Sequence, residues 1–203
     1  MLPPILEQST EPEIDQPKVN GNCLGRGGPI RLNLGGIGDD GNDRILKGFL
    51  VVDLQDLPLV DVQCDVSKLT PFQDNSVDEI YASNVLEHFM HTDTVRVLQE
   101  WRRVLKPGAT CWISVPDMDA NFRLFQKNGL TQWVQNIIWG DQIHPHAFHY
   151  INFTFASLAK RVNEAGFSDV KRVDSLPYGI NDASAMVDGQ EHKPTSLNIK
   201  AIK

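Results

Sequence analysis

The chain has 203 residues, 41% hydrophobic and 22% charged, enough to bury one sizeable core and short for two. Its formal charge of -7 argues against non-specific attraction to nucleic acid or anionic lipid, both of which favour a basic face, and points to a small or neutral partner. Cys23, Cys64 and Cys111 lack the paired spacing of a zinc site or a disulfide framework, and no apolar stretch approaches the roughly 20 residues of a membrane helix.

Residues 1–29 are rich in Pro, Gly, Glu and Asn, carry no apolar period and have no signal-peptide pattern, so they read as an arm or loop outside the core of a cytoplasmic protein. Short apolar runs follow at 30–34, 49–53, 61–65, 77–83 and 109–115, each patterned as a buried strand. Between the last two, Val97, Leu98, Trp101, Val104 and Leu105 recur at helical spacing until Lys106-Pro107-Gly108 stops the helix. Residues 118–140 read as one or two inserted helices, part of a helical lid insert at about 118–150. Within it Met118, Phe122, Phe125, Trp133, Ile137 and Ile138 are expected in the core, as is Trp101 in the preceding helix. A further helix starts at the N-cap Thr154 and ends near Gly166, and strands at 170–173 and 196–202 close the chain. Strands alternating with helices predict one doubly wound α/β domain over 30–203, a mostly parallel sheet with helices on both faces and ligands at the carboxyl ends of its strands.

The segment from Leu32 through Leu34-Gly35-Gly36-Ile37-Gly38 is a strand entering a glycine-rich turn, where absent side chains let backbone amides approach a ligand. An ordinary tight loop gives the same pattern. Asp53, ending the next run, can accept hydrogen bonds from both hydroxyls of a ribose, with a strand-end turn or N-cap role as the alternative. Asp65 could accept from an adenine amino group, or equally cap the turn at Ser67.

The run Pro71-Phe72-Gln73-Asp74-Asn75-Ser76-Val77-Asp78-Glu79-Ile80-Tyr81-Ala82-Ser83-Asn84-Val85-Leu86-Glu87-His88 resembles the fourth-strand region of class I S-adenosylmethionine-dependent methyltransferases. Glu100-Trp101-Arg102-Arg103-Val104-Leu105-Lys106-Pro107-Gly108-Ala109 resembles their following helix, turn and fifth strand. The likeness is strongest to a small bacterial subset of predicted methyltransferases and covers about 30–173. It implies a seven-stranded Rossmann-like sheet, S-adenosylmethionine as cofactor and S-adenosylhomocysteine as product. By the same resemblance Gly35, Gly36 and Gly38 line the methionine and ribose, Asp53 holds the ribose, Asp65 and Val66 border the adenine, and Asn84 lies near the methionine end. Asn33 and Leu54, beside these positions, are counted with them. The turn departs from the family pattern in two ways: Asn33 stands where an acid is usual, and Gly35-Gly36-Ile37-Gly38 breaks the regular glycine beat. Only about a dozen residues separate Gly36 from Phe49, so the usual first helix must be short or absent.

A sulfonium methyl is already electrophilic, so catalysis consists mainly of aligning the nucleophile and removing its proton where necessary. Asp141-Gln142-Ile143-His144-Pro145-His146-Ala147-Phe148-His149-Tyr150 is the densest polar group beyond the fifth strand. His146, His149 and Tyr150 are the candidate acceptor-side catalytic residues, because histidine titrates near neutral pH. Capping and loop hydrogen bonding is the bland alternative. A metal site from Asp141, His144, His146 and His149 ranks last, since the spacing fits no standard zinc signature, and no metal is expected. His88 is expected to be structural or at the rim. The resulting reading is methyl transfer to a small-molecule or glycan-type acceptor, the latter because similar proteins often sit among sugar-handling enzymes. A non-catalytic module retaining the fold and a nucleotide-dependent oxidoreductase are the rivals.

Overall fold

The computed structural model describes residues 17–21, 27–36, 45–143, 145–179, 182–187 and 194–203. Its strands are β1 (Lys18–Val19), β2 (Arg31–Leu34), β3 (Leu50–Asp53), β4 (Val62–Gln63), β5 (Val77–Ser83), β6 (Leu105–Pro116), β7 (Ser168–Val173) and β8 (Ser196–Ile202). Its helices are α1 (Thr94–Val104), α2 (Met118–Asn128), α3 (Gln132–Trp139) and α4 (Phe155–Glu164). The strands form one sheet in the order β1-β4-β3-β2-β5-β6-β8-β7, parallel from β4 to β6 and antiparallel at both edges.

The expected seven strands all lie from Arg31 onward, and the segment read as an arm supplies an eighth. Lys18–Val19 pairs antiparallel with β4. Lys18 Nζ bonds Asp56 at 2.8 Å, while the Asn20 amide donates to the Asp61 carbonyl at 2.8 Å and its side chain to the Val60 carbonyl at 2.6 Å. Apolar periodicity could not reveal this strand because both its side chains are exposed and only its backbone pairs.

Alternation along the strands gives the sheet two unlike faces. Leu32, Ile80, Ala82, Cys111, Ile113 and Ile199 point to one of them, where Val97, Leu98 and Trp101 of α1 and Leu158 and Val162 of α4 complete the main core. α1 presents its apolar stripe here and stops at Val104, because Pro107 has no amide to donate and restricts Lys106 to extended geometry. Trp101 is fully buried and its indole N–H donates to the Val66 carbonyl at 2.9 Å. Arg103 binds Glu100, Asp74 and the Phe72 and Leu69 carbonyls, tying the loop before β5 to α1. Thr154 caps α4 through a capping box with Ser157.

The opposite face carries Asn33, Tyr81, Ser83, Trp112, Ser114 and Asn198, by the same alternation. Among the described residues its cover is formed by segments around Leu46, Phe49 and Leu176, while α1 and α4 share the first face. The β3–β4 connection, residues 54–61, is too short for a long crossover helix. Tyr81 donates to the buried Asp182 carboxylate at 2.7 Å, and Glu79 accepts from Trp112 at 2.8 Å and Tyr178 at 2.5 Å.

Two details correct the sequence reading of the insert. Its core contribution comes from Ala120, Leu124 and Val134, whereas Phe122, Phe125 and Trp133, expected to be core, are exposed. The helices are short and pack on each other, so a 3.6-residue period there marks an amphipathic surface pair instead of a buried one. Cys64 and Cys111 are buried free thiols, and burial pushes the Cys64 thiol up to about 12, with Asp65 adding to the shift. Cys23 lies outside the described residues.

Candidate active site

The parallel strands bring their carboxyl ends to one rim, where β2, β3 and β5 each deliver a candidate residue. Gly35 follows β2 with φ of 61°, a left-handed conformation, and its amide donates to the Val52 carbonyl at 2.9 Å. A Cβ there would lie 2.8 Å from Val85 Cγ2, and one on Gly36 would lie 2.6 Å from Asn33 Nδ2. Both positions are therefore closely packed against the chain's own side chains. Asn33 itself is buried, and Gly38 lies outside the described residues.

Asp53 ends β3, buried, and one carboxylate oxygen accepts the Gln55 amide at 3.0 Å. The strand-end turn role is thus met by one oxygen of this carboxylate. Half-buried Leu54 follows it. Asp65 accepts the Ser67 amide at 2.8 Å, which is the turn cap, and Val66 is buried with its carbonyl held by Trp101. Asn84 follows β5 in the left-handed region, φ 55°, and its amide donates to the Ser114 carbonyl at 2.9 Å. Its side-chain Oδ1 is buried with no hydrogen-bond donor. A buried amide oxygen in that condition costs about 1–3 kcal/mol, which a ligand N–H or a bound water recovers.

Beyond Asn84 the chain enters a single 3₁₀ turn, Leu86–His88. Glu87 is completely buried. The loop after α3 comes back to this turn: the Tyr150 amide donates to the Glu87 carbonyl at 2.8 Å and the His149 amide to the Trp139 carbonyl at 3.0 Å. Gly140 makes that return possible, because at its φ of 76° a Cβ would lie 1.7 Å from the Ala147 carbonyl oxygen.

His149 is brought against His88, ring centroids 4.9 Å apart and nearly perpendicular. Its Nδ1 lies 2.9 Å from the Ile137 carbonyl, and Nδ1 of His88 lies 3.1 Å from the Phe148 carbonyl. A carbonyl only accepts, so both Nδ1 atoms donate and the lone pair of each neutral ring is on Nε2. Burial holds His149 below the ordinary imidazole range, against the smaller upward pull of the Ile137 carbonyl and Asp141, and so favours its neutral form. His146 and Tyr150 are exposed, Tyr150 stacking on Phe148 at 6.3 Å, and His144 lies outside the described residues. Glu87 carried no expectation from the sequence, and His88, expected to be structural or at the rim, is half-buried against His149. Both stand directly beyond Asn84 at the carboxyl end of a central strand.

Residues 45–113 match a family model described as a methyltransferase domain. No curated protein matches the chain in sequence. Among solved structures, the chain is similar to an S-adenosylmethionine-dependent methyltransferase from Archaeoglobus fulgidus, at 15% identity over 87% of each chain with a TM-score of 0.54. It is also similar to a Thermotoga maritima protein described as a possible histamine N-methyltransferase, at 19% identity over 86% of this chain and 81% of that one, TM-score 0.55. A third is the 1,6-didemethyltoxoflavin-N1-methyltransferase of Burkholderia thailandensis, with its substrate and S-adenosylhomocysteine bound, at 20% identity over 89% and 72% of the two chains, TM-score 0.50. At such identities the structures testify to the fold, and the fold is the Rossmann-like one of methyl transfer enzymes. The sequence match to a methyltransferase domain over the central strands and the fold shared with these structures agree with each other.

Proposed function

We propose that the enzyme transfers a methyl group to a small-molecule or glycan-type acceptor held between the strand rim and the loop carrying His146, His149 and Tyr150. The observation that carries this reading is the buried, donor-less Oδ1 of Asn84, next in sequence to Val85, which packs on Gly35, and three residues before Glu87, whose carbonyl the loop bonds. S-adenosylmethionine, when bound, supplies an activated methyl and departs as the neutral thioether. Asn33, Gly35, Gly36 and Gly38 would form its cradle, Asp53 with Leu54 would hold the ribose, Asp65 and Val66 would border the adenine, and Asn84 would accept from the methionine amine. His149 would receive an acceptor proton on Nε2, with His146 and Tyr150 binding at the exposed mouth. Small-molecule acceptors are supported by analogy with the toxoflavin-precursor enzyme, whose bound substrate is small.

Calorimetry with S-adenosylhomocysteine tests the cofactor half. Saturable binding is expected, weakened about 10-fold or more in Asp53→Ala and in Asn84→Ala, as loss of a hydrogen bond worth about 1.5–3 kcal/mol implies. No heat and no thermal stabilisation would favour a non-catalytic module instead. The acceptor half is tested by labelled methyl incorporation across pooled metabolites and glycans. His149→Ala should abolish incorporation and leave cofactor affinity intact.

A further inference from the structure

We propose that Glu87, His88 and His149 form a binding site for one divalent transition-metal ion of the zinc class. One ligand atom from each of the three lies within 4.8 Å of the other two. Nitrogen and oxygen ligands around a tetrahedral ion are about 3.4 Å apart, so closure asks side chains to move by about 1 Å. His88 and His149 are half-buried and can swing by that much, whereas Glu87 is fixed in the interior.

The second observation is independent of that proximity. Both imidazoles donate Nδ1–H to a main-chain carbonyl, Phe148 for His88 and Ile137 for His149. This is the outer-shell arrangement that fixes tautomer and ring direction in metal-ligating histidines, and it puts both lone pairs on Nε2. The backbone around the site is braced as a ligand set requires, with Tyr150 bonded to the Glu87 carbonyl, His149 bonded to Trp139, and Gly140 packed on Ala147. Two imidazoles and one carboxylate suit zinc and its borderline neighbours and disfavour calcium and magnesium, which take oxygen donors. Three protein ligands also leave a fourth position open.

The set differs from the one suggested by histidine spacing, sharing only His149 with it. It was invisible along the chain because the loop after α3 returns to bring together residues 61 positions apart, from His88 to His149. Metal binding is expected with or without cofactor and acceptor. With the ion bound, Nε2 of His149 is a ligand in place of the proton acceptor it would be in the metal-free form, and an acceptor oxygen at the open position, acidified by the ion, would give its proton to solvent.

The test uses the full chain, stripped with a chelator and titrated with zinc chloride by calorimetry, with bound metal counted by mass spectrometry after desalting. One zinc per chain and a rise in melting temperature are expected. His88→Ala and His149→Ala should each weaken binding at least 10-fold and remove the thermal shift while keeping the fold. Cobalt substitution should give ligand-field bands without the near-ultraviolet charge-transfer band of a thiolate, which separates this site from adventitious capture by cysteine. Substoichiometric zinc, a thiolate band, or unchanged affinity in both histidine variants would overturn the proposal.

Discussion

On one face of the sheet, Leu32, Ile80, Ile113 and Ile199 meet the apolar sides of α1 and α4; on the other, Asn33, Tyr81, Ser83, Ser114 and Asn198 stand beneath loops. The first face contains almost nothing that needs a partner beyond van der Waals contact. The second buries polar atoms, and Ser83 Oγ, Ser114 Oγ and Asn198 Oδ1 join Asn84 Oδ1 in having no hydrogen-bond partner. Apolar cohesion and buried polarity are thus divided between the faces. The helix face supplies the apolar burial that holds the domain, and the polar face retains unsatisfied groups at a cost that only a ligand or water offsets. Asn33 and Asp53, two of the proposed cofactor residues, alternate onto that second face.

The division is broken most severely at Trp101. Trp101→Ala removes the largest fully buried side chain and its bond to Val66, and should cost about 3–5 kcal/mol, read as a lowered urea midpoint. Tyr81→Phe tests the other face with a nearly unchanged shape. It strips one donor from the buried Asp182 carboxylate and should cost about 1–3 kcal/mol. If the two losses were equal, or the second larger, the helix face would not be the dominant source of cohesion.

The same division explains what could be read along the chain. Val97, Leu98, Trp101 and Val104 announce α1 because one apolar face at helical spacing leaves little freedom, and the strand runs at 30–34 and 77–83 are likewise apolar enough to identify themselves. Thr154 declared the start of α4 by its own chemistry. Residues 61–65 promised a fuller strand than Val62–Gln63, because Cys64 and Asp65 turn away into a loop that Asp65 caps. Phe122, Phe125 and Trp133 misled because a moment in hydrophobicity does not say whether anything covers the apolar side. The candidate site was half legible: Asp53 stood out by its place at a strand end, and Asn84 came in only through the family resemblance. The pairing of Glu87 and His88 with His149 depends on Gly140 and the fold of the loop after α3, which no local pattern records.

A smaller effect sharpens the cohesive face. Thr154→Ala removes the acceptor for the Ser157 amide at the start of α4, and should cost about 1 kcal/mol in thermal or urea unfolding with no change in S-adenosylhomocysteine affinity. A change in affinity would mean that α4 transmits to the rim, and the two faces would not be separable.

The smallest expected effect lies at the amino ends of the strands, far from the proposed chemistry. Asp78 bonds Lys106 Nζ at 2.7 Å and accepts the Ile30 amide at 2.8 Å. The Lys106 hydrogen bond holds its carboxyl below the ordinary value of 3.8, with the Ile30 amide helping and partial burial opposing. Because the folded chain binds this proton less readily than the unfolded one, the contribution is complete above the unfolded pKa and disappears as pH falls through the folded one. Asp78→Asn should therefore unfold with a shallower acid limb below about pH 4 than the parent chain, and with a pH-independent offset near neutrality. The pair is solvent-exposed, so salt should shrink that offset. An acid limb as steep in the variant as in the parent would move the responsible proton to carboxylates on the polar face, and the cohesive face would then carry no acid-sensitive group of its own.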